Sequence, residues 1–565
     1  MNFLHREVPS FHAAALILGG AALAAKLLGL LRDRLLASRF GAGDELDVYY
    51  AAFQIPDILY ILFLVGAASA AVLPVFLEYD FRGPGVAERF IGNLLTVFSF
   101  FAIGAVILAV ILAPWLVKLI APGFSEIKFA QTLGLTRLMM VNAVFLGIAG
   151  IFSSVLQARH RFFVFALPPI FYNLGIILGI LVFVPLGGIR GLAYGVLLGG
   201  ALQILIQLPA LRAMHFRPQP AFSLGEPGFR KVVKTSLPRV AALSMTQLTL
   251  VALVAIASYF AAGSISVFKL ASNLLYVPVG LFGVSWALAM FPKLSSEAIA
   301  GAGGAFSQHL AIGFRNIFFW ALPFVTLFVV LRAHIVRVVL GAGAFNWEDT
   351  RLVAAMLAVM SLAIASESIL PLVLRAFYAL GDTLRPLLWD IVGSLTAVVL
   401  ALGLGFWFTR APEALAGIAT VLRIGDLPEP KVLALAIAFT VGSLVNVLLL
   451  VASLRRAAEK RLGIQLSFEG GAVASMVGAA VLAGLAAYGA LLPFPALVPT
   501  NTFLGIFMQG VVAGMVGLAV YGGALWWQGN PEILGLIASI RARLISIKRA
   551  PQVYEVEKLD GNGTR

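Results

Sequence analysis

The sequence contains no cysteine, and charged residues make up only 12% of its 565 residues, about half the share found in soluble proteins. The absence of cysteine excludes disulfides, thiolate metal ligands and cysteine nucleophiles. The scarcity of charge, set against 61% hydrophobic residues, excludes a string of soluble domains, because their surfaces would expose far too much apolar side chain. We therefore expect a chain that is solvated by lipid.

Catalytic and cofactor motifs are missing as well. The sequence has no glycine-rich phosphate loop, no nucleophile elbow and no HExxH pair. Its histidines, among them His160, His309 and His334, do not stand at metal-ligand spacing. The sequence thus predicts a protein that is not an enzyme and that uses no cofactor or metal ion.

Long apolar segments follow one another along almost the whole chain. They reach the ~20 residues that a membrane-crossing helix needs, and they do not alternate like the ~10-residue strands of a barrel. The pattern predicts an all-α polytopic membrane protein with about fourteen spans. The predicted spans are residues 13–38, 48–77, 90–121, 130–158, 162–186, 190–213, 236–262, 265–292, 311–340, 352–379, 386–408, 431–454, 471–493 and 503–528.

The net charge of +14 arises mainly in alternate loops. In a soluble protein such an excess would suggest nucleic acid, but between apolar spans basic residues set the topology. The basic loops at 82–89, 159–161, 212–234, 375–385 and 455–461 predict one cytoplasmic face. With an even number of spans, both termini are expected in the cytoplasm, and no nucleic-acid partner is expected.

An internal repeat divides the chain. Leu374-Arg375-Ala376 with Pro386 repeats the spacing of Leu156-Gln157-Ala158 with Pro168, and paired halves are usual in alternating-access transporters. The alternative is a chance match of a few residues. The predicted organisation is a six-helix half at 1–213, a cytoplasmic linker at 214–235, a second six-helix half at 236–457, two added transmembrane helices at 458–528, and an amphipathic helix with a cytoplasmic tail at 529–565.

Ionisable residues inside apolar spans are candidate functional residues, because a charge at the bilayer centre costs ~2.5–3.5 kcal/mol. Lys26 and Arg32 are candidates to bind one anionic group, whereas snorkelling at the interface is the preferred interpretation of Arg34 and Arg39. Asp47 is either a gate or counter-charge for them or an ordinary loop charge. Glu367 and Asp390 are candidates to bind a proton or sodium ion, with a locally hydrogen-bonded carboxyl as the alternative.

Several motifs in succession resemble the MurJ (MviN) family of lipid II flippases, and the resemblance covers nearly the whole chain. The motifs are Arg32-Asp33, Phe40-Gly41-Ala42-Gly43, Asp47 and Ile55-Pro56; Gly66-Ala67, Pro74 and Glu78-Tyr79; Gly195, Gly199-Gly200 and Gln207-Leu208-Pro209; Pro278, Gly280 and Pro292; and Arg375-Ala376-Phe377-Tyr378-Ala379 with Asp382-Thr383 and Pro386.

The resemblance implies a member of the multidrug/oligosaccharidyl-lipid/polysaccharide exporter superfamily in the bacterial inner membrane. It implies movement of the undecaprenyl-diphosphate-linked peptidoglycan precursor from the inner to the outer leaflet, with cavity cations holding the diphosphate. Lys26 stands where the family usually has a cavity arginine, and Arg32 and Asp47 match directly. The implied partners are this lipid-linked glycan, membrane lipids and cell-wall synthesis enzymes, and we expect a monomer.

The sequence departs from the family at other cavity positions. Two arginines often found in the second helix are replaced by Tyr60 and Ile61, and an Asp-Arg pair in the eighth helix by Ser272-Asn273. An aspartate of the seventh helix is replaced by Leu253, which puts sodium coupling in doubt. Lys269 lies one helical turn before Asn273 and is a candidate replacement for a lost cation, so we include both in the predicted substrate site.

Two alternatives to a flippase stay open. One is an ion-coupled exporter of drugs or organic cations from the same superfamily, which would need an acidic, aromatic-lined cavity. The other is a non-transporting membrane partner of cell-wall synthesis that keeps the fold and has lost its cationic clamp.

Overall fold

The computed structural model describes residues 11–67, 69–427, 430–466, 470–493 and 502–548, and these residues fold into helices and short connections. In chain order the helices are α1 (Phe11–Phe40), α2 (Asp44–Ala67), α3 (Ser69–Phe81), α4 (Pro84–Ile120), α5 (Glu126–Ala158), α6 (Phe162–Ala166), α7 (Pro168–Leu178), α8 (Val184–Gly187), α9 (Arg190–Leu205), α10 (Leu208–Ala213), α11 (Pro227–Ala257), α12 (Ser264–Pro278), α13 (Ser285–Ile299), α14 (Gly303–Val330), α15 (Arg332–Leu340), α16 (Trp347–Ser361), α17 (Ile364–Ala379), α18 (Leu384–Arg410), α19 (Pro412–Val421), α20 (Leu433–Leu462), α21 (Gly470–Leu491), α22 (Phe503–Trp527) and α23 (Pro531–Lys548).

The predicted all-α membrane fold is confirmed. Within the described part of the chain, eleven helices are long and apolar enough to cross a membrane, or twelve if the bent pair α16 and α17 forms one span. Every predicted apolar segment coincides with one of the helices or with a broken series of them. The predicted number of fourteen spans is not confirmed by this count and stays a prediction.

Several helices are interrupted where the site is built. α7 and α12 each continue into a π-helical turn, Gly179–Phe183 and Val279–Val284 respectively. The second turn follows Pro278, which cannot donate the helical hydrogen bond. Gly283 lies in this turn, and a side chain there would come within 2.5 Å of the Ser368 carbonyl oxygen. A glycine is therefore needed for α17 to approach this closely.

Loops that are predicted to lie on the cytoplasmic face are joined by ion pairs to neighbouring helix ends. At one face, Arg159 Nη2 pairs with Asp80 Oδ1 at 2.6 Å and Lys231 Nζ pairs with Glu78 Oε2 at 2.7 Å. These residues all belong to the loops predicted to be cytoplasmic or to their flanking helix ends. Residues 1–10 and 549–565, on which the predicted cytoplasmic termini fall, lie outside the described residues.

The helices after the second half attach to α14. The Tyr521 hydroxyl of α22 donates to the Phe319 carbonyl at 2.8 Å, and α21 packs in the same apolar cluster. The helix predicted over 531–549 is present as α23, and its Glu532 pairs with Arg315 at 2.8 Å. Its Ile537 and Ile540 are exposed, and the position of this helix on the inner leaflet stays a prediction. The domain boundaries themselves stay predictions.

Candidate functional site

A cavity of about 310 Å³ lies between the two predicted halves. α1 contributes Arg32, α2 contributes Asp57 and Tyr60, and α12 contributes Lys269 and Asn273. The structure therefore brings three of the predicted substrate residues, Arg32, Lys269 and Asn273, together from helices that are far apart in the sequence.

Arg32 is held by a neighbouring carboxylate. Its Nε and Nη2 both donate to Asp33 Oδ1, at 3.0 and 2.8 Å, and its Nη1 donates to Asn173 Oδ1 at 3.2 Å. Asp33 is 3% exposed, and Asn273 Nδ2 donates to its other oxygen at 2.9 Å. Asn273 thus joins the two halves by positioning Asp33, which itself fixes the orientation of the guanidinium.

Lys269 is the cation of this cavity that keeps its donors unused. No hydrogen bond or ion pair within 4 Å joins its ammonium to any other described residue, although the Asp57 carboxylate lies within electrostatic range. The side chain is only partly buried and lines the cavity, so its donors are accessible from there. The predicted contact of Lys269 with substrate stays a prediction.

Asp57 is a site residue that the sequence reasoning missed. It follows Pro56 inside an apolar helix, so the rule that singled out Glu367 and Asp390 would have selected it as well. Tyr50, Gln54 and Asp57 recur at helical spacing and line one wall of the cavity. The helical spacing of these three polar residues is the sequence pattern that indicates Asp57 as a cavity residue.

Lys26 occupies a separate place on α1. It lies about 9 Å before Arg32 along the helix axis and is absent from the described walls of the Arg32 cavity. Its ammonium lies against Gly280, where a side-chain carbon would come within 2.9 Å of Lys26 Nζ. Lys26 and Arg32 therefore stand at two successive positions along α1, and the prediction that they bind one anionic group stays a prediction.

Asp47, in the first turn of α2, joins the two halves, and its contacts with the start of α12 form a closure between them. One oxygen accepts from the Gly263 backbone N–H at 2.7 Å, and the other accepts from the N–H and hydroxyl of Ser266 at 2.8 and 2.6 Å. The carboxylate caps the start of α12 and is 2% exposed. The gate interpretation of Asp47 fits these contacts, and its predicted contact with substrate stays a prediction.

The backbones of the two halves touch at this closure. Gly263 has a φ of 87°, and a side chain there would come within 1.9 Å of the Ala42 carbonyl oxygen. The Ala344 N–H donates to the Ser38 carbonyl at 2.8 Å, and Arg34 Nη1 donates to the Val338 carbonyl at 2.6 Å. Only glycine permits both the conformation and the approach at position 263.

The two predicted coupling residues share a second pocket, of about 50 Å³, within the second half. Glu367 accepts from the Ser443 hydroxyl at 2.6 Å and from the Tyr276 hydroxyl at 3.3 Å. Asp390 accepts from Asn446 Nδ2 at 3.0 Å. The pocket is large enough for a small cation or a few waters.

The seventh-helix position that lost its aspartate lies beside this pocket. Leu253 is fully buried in the apolar core, and Thr249, one turn earlier on α11, reaches the pocket instead. Thr249 Oγ1 donates to Ser394 Oγ at 2.6 Å. In the described ranges, no three His, Asp or Glu side chains form a metal-binding group.

Comparison with known proteins identifies relatives along most of the chain. The family model described as lipid II flippase MurJ matches residues 36–508. A probable lipid II flippase MurJ of Rhizobium tropici is 30% identical over 385 residues, which cover 66% of this chain and 72% of the relative. The lipid II flippase MurJ of Burkholderia cenocepacia is 28% identical over 382 residues, which cover 66% of this chain and 74% of the relative.

Solved structures share the fold. A lipid II flippase MurJ in an inward closed conformation superposes with a TM-score of 0.69 at 22% identity, covering 90% of this chain and 99% of the other. An inward-facing multidrug resistance transporter of the MATE family superposes with a TM-score of 0.61 at 13% identity, covering 77% of this chain and 95% of the other.

Proposed function

This chain belongs to the lipid II flippase MurJ family, and we propose that it moves the lipid-linked peptidoglycan precursor from the inner to the outer leaflet by alternating access. The observation that carries the proposal is the meeting of Arg32 and Lys269, from opposite halves, in one cavity. The family is one of transporters, and the proposed cycle moves the substrate without breaking a bond.

The diphosphate is proposed to bind between Arg32 and Lys269. Phosphate oxygens only accept hydrogen bonds, and a guanidinium and an ammonium both donate to them. The matched family range begins at residue 36, so the roles of Arg32 and Lys26 are argued from geometry. Lys26, against Gly280, is proposed to hold the diphosphate as it moves along α1.

Outward opening is proposed to break the contacts that join the halves. The described closure contains the Asp47 cap on α12 and the bond from Ala344 to Ser38. Asp47 lies about 15 Å from Asp57 along α2, so the closure stands above the substrate cavity. Rocking the halves apart at this face would expose Arg32 and Lys269 to the outer leaflet.

Glu367 and Asp390 are proposed to carry the coupling cation. Replacing them by glutamine and asparagine is expected to lower ion-driven transport at least about tenfold, since each removes a charge that a bound cation needs. The check is the transport rate in vesicles with an imposed sodium or proton gradient. A Glu413→Gln variant, altered at the start of the peripheral helix α19, is the control. Unchanged gradient dependence in both pocket variants would contradict the role.

Orientation and partners complete the proposal. Several apolar helices and the family assignment indicate a multi-pass inner-membrane protein, and we propose cytoplasmic termini from the basic loops. Lipid II and membrane lipids are the proposed ligands, with cell-wall synthesis enzymes as neighbours of a monomeric chain. Export of organic cations is disfavoured, because the cavity of about 310 Å³ carries Arg32 and Lys269, whose positive charges repel a cationic ligand.

The direct test is transport by the purified chain in lipid vesicles. We expect lipid II placed in one leaflet to appear in the other much faster than in protein-free vesicles, while phosphatidylglycerol does not. Native mass spectrometry should show preferential binding of lipid II over phosphatidylglycerol. Equal movement or binding of both lipids would overturn the flippase proposal, and binding without movement would favour a non-transporting partner.

A further inference from the structure

One wall of the central cavity carries buried hydrogen-bond acceptors that lack donors. Gln54 is 1% exposed and its Nε2 donates to the Tyr50 carbonyl at 2.9 Å, which leaves Oε1 without a partner among the described residues. The Tyr50 hydroxyl, in a side chain that is 8% exposed, is also unpartnered. Both residues line the cavity, as does Asp57, whose carboxylate accepts no hydrogen bond from any described group.

Aromatic rings surround these acceptors. Tyr49 packs edge-on against Phe53 with ring centroids 5.3 Å apart and lies 5.5 Å from Tyr50. Tyr60 and Tyr172 also line the cavity. Such rings offer flat apolar faces to C–H groups, and their hydroxyls bind polar edges.

This wall does not suit the diphosphate. Phosphate oxygens are acceptors, so they cannot satisfy Gln54 Oε1, and the Asp57 carboxylate repels them. The matching ligand supplies several O–H or N–H donors along its edge and has an apolar face, which is the chemistry of a sugar ring. The two unpaired oxygens expose almost no surface in this state, so a ligand reaches them as the Tyr50 and Gln54 side chains turn toward the cavity. Its donors then recover the free energy that buried unpaired acceptors cost.

We propose that Tyr50, Gln54 and Asp57 form a saccharide subsite for the sugar bonded to the diphosphate. This inference rests on the proposed function. The position agrees with the connectivity of the substrate, because the first sugar is joined directly to a phosphate, and Asp57 lies in the same cavity as Lys269. The subsite would discriminate glycan-bearing lipid from bare lipid diphosphate.

A bound cation is the competing occupant of these oxygen atoms. A cation there would lie within electrostatic range of Arg32 and Lys269, because the charges of these two residues interact with the Asp57 carboxylate. Two neighbouring positive charges oppose a cation in a water-poor cavity. They favour a neutral sugar at this wall, while Arg32 and Lys269 bind the diphosphate.

The test compares two ligands that share the lipid tail and the diphosphate. The full-length wild-type chain in detergent is titrated with lipid II and with undecaprenyl diphosphate, which lacks the sugar. Asp57→Asn and Gln54→Met are expected to weaken lipid II binding about tenfold. Binding of undecaprenyl diphosphate should stay the same, or strengthen in Asp57→Asn because repulsion is removed.

Glu45→Gln is the matched control, because it removes an acid from an exposed position on the same helix. It should leave both affinities unchanged. Equal losses for both ligands, no loss for either, or a loss seen only when Na⁺ or Mg²⁺ is present would each overturn the saccharide subsite. Wild-type protein that binds neither ligand better than phosphatidylglycerol would instead overturn the proposed function, and the subsite with it.

Discussion

Replacing Lys269 by methionine is expected to slow lipid II transport at least about tenfold, because the variant loses a cation that makes no other direct contact. A charge-assisted hydrogen bond contributes about 1.5–3 kcal/mol, and about 1.4 kcal/mol corresponds to a tenfold rate change. Methionine keeps the length and apolar packing of the stem. Because no described residue relies on the ammonium for a hydrogen bond or ion pair, the folded structure should survive. The measurement is the leaflet-to-leaflet rate in vesicles.

Arg32→Ala is expected to give a similar or larger loss, but it also leaves the buried Asp33 without two of its hydrogen bonds. Arg32→Lys, which keeps the charge, separates this structural effect from substrate binding. Arg39→Ala, at an exposed position on the same helix, is the control and should transport at the normal rate. Normal transport by Lys269→Met would remove Lys269 from the proposed site.

The charge balance of the cavity differs from a purely cationic clamp. Arg32 and Lys269 face two carboxylates, Asp33 and Asp57, in the same region. Because Asp33 is already bonded to Arg32 and Asn273, Asp57 is the acid that an incoming diphosphate meets directly. The replacement of an arginine position by Tyr60 adds an aromatic ring to the same wall. We infer that binding here depends on orientation of the headgroup as well as on attraction of its charge.

The fold could be predicted from the sequence because its determinants are local. A continuous apolar segment of membrane length has few alternatives to a helix, since every backbone polar group must be paired within it. The predicted segments therefore coincide with helices. The exact number of spans is harder to predict, because a bent pair such as α16 and α17, with 47° between the two helices, appears in the sequence as one continuous apolar segment.

The site could be predicted only in part, because its contacts join distant residues. Arg32 and Lys269 stood out as charges in apolar spans, but nothing local shows that they share a cavity. The sequence places Asn273 in the predicted substrate site but gives no sign that its amide nitrogen is bonded to Asp33 in the other half. The cap that Asp47 places on α12 is likewise invisible until the halves are packed together.

Joining the halves at the outer closure by a disulfide is expected to abolish transport. Cysteines at Ser38 and Ala344 suit this test, because their backbones are already hydrogen-bonded at 2.8 Å, and a disulfide needs Cα atoms about 4.4–6.8 Å apart. A cysteine at Gly263 does not suit it, because any side chain there meets the Ala42 carbonyl. The chain has no native cysteine, so no background bond can form.

Under oxidising conditions the Ser38→Cys/Ala344→Cys variant should lose transport in proportion to the cross-linked fraction, and a reductant should restore it. Each single-cysteine variant should transport normally under both conditions, which separates the bond from the substitutions. Lipid II binding to the cross-linked form should persist, because the cavity with Arg32 and Lys269 lies on the other side of the closure. Full transport by a completely cross-linked sample would show that the halves need not separate at this face, and alternating access through the closure at Asp47 would be wrong.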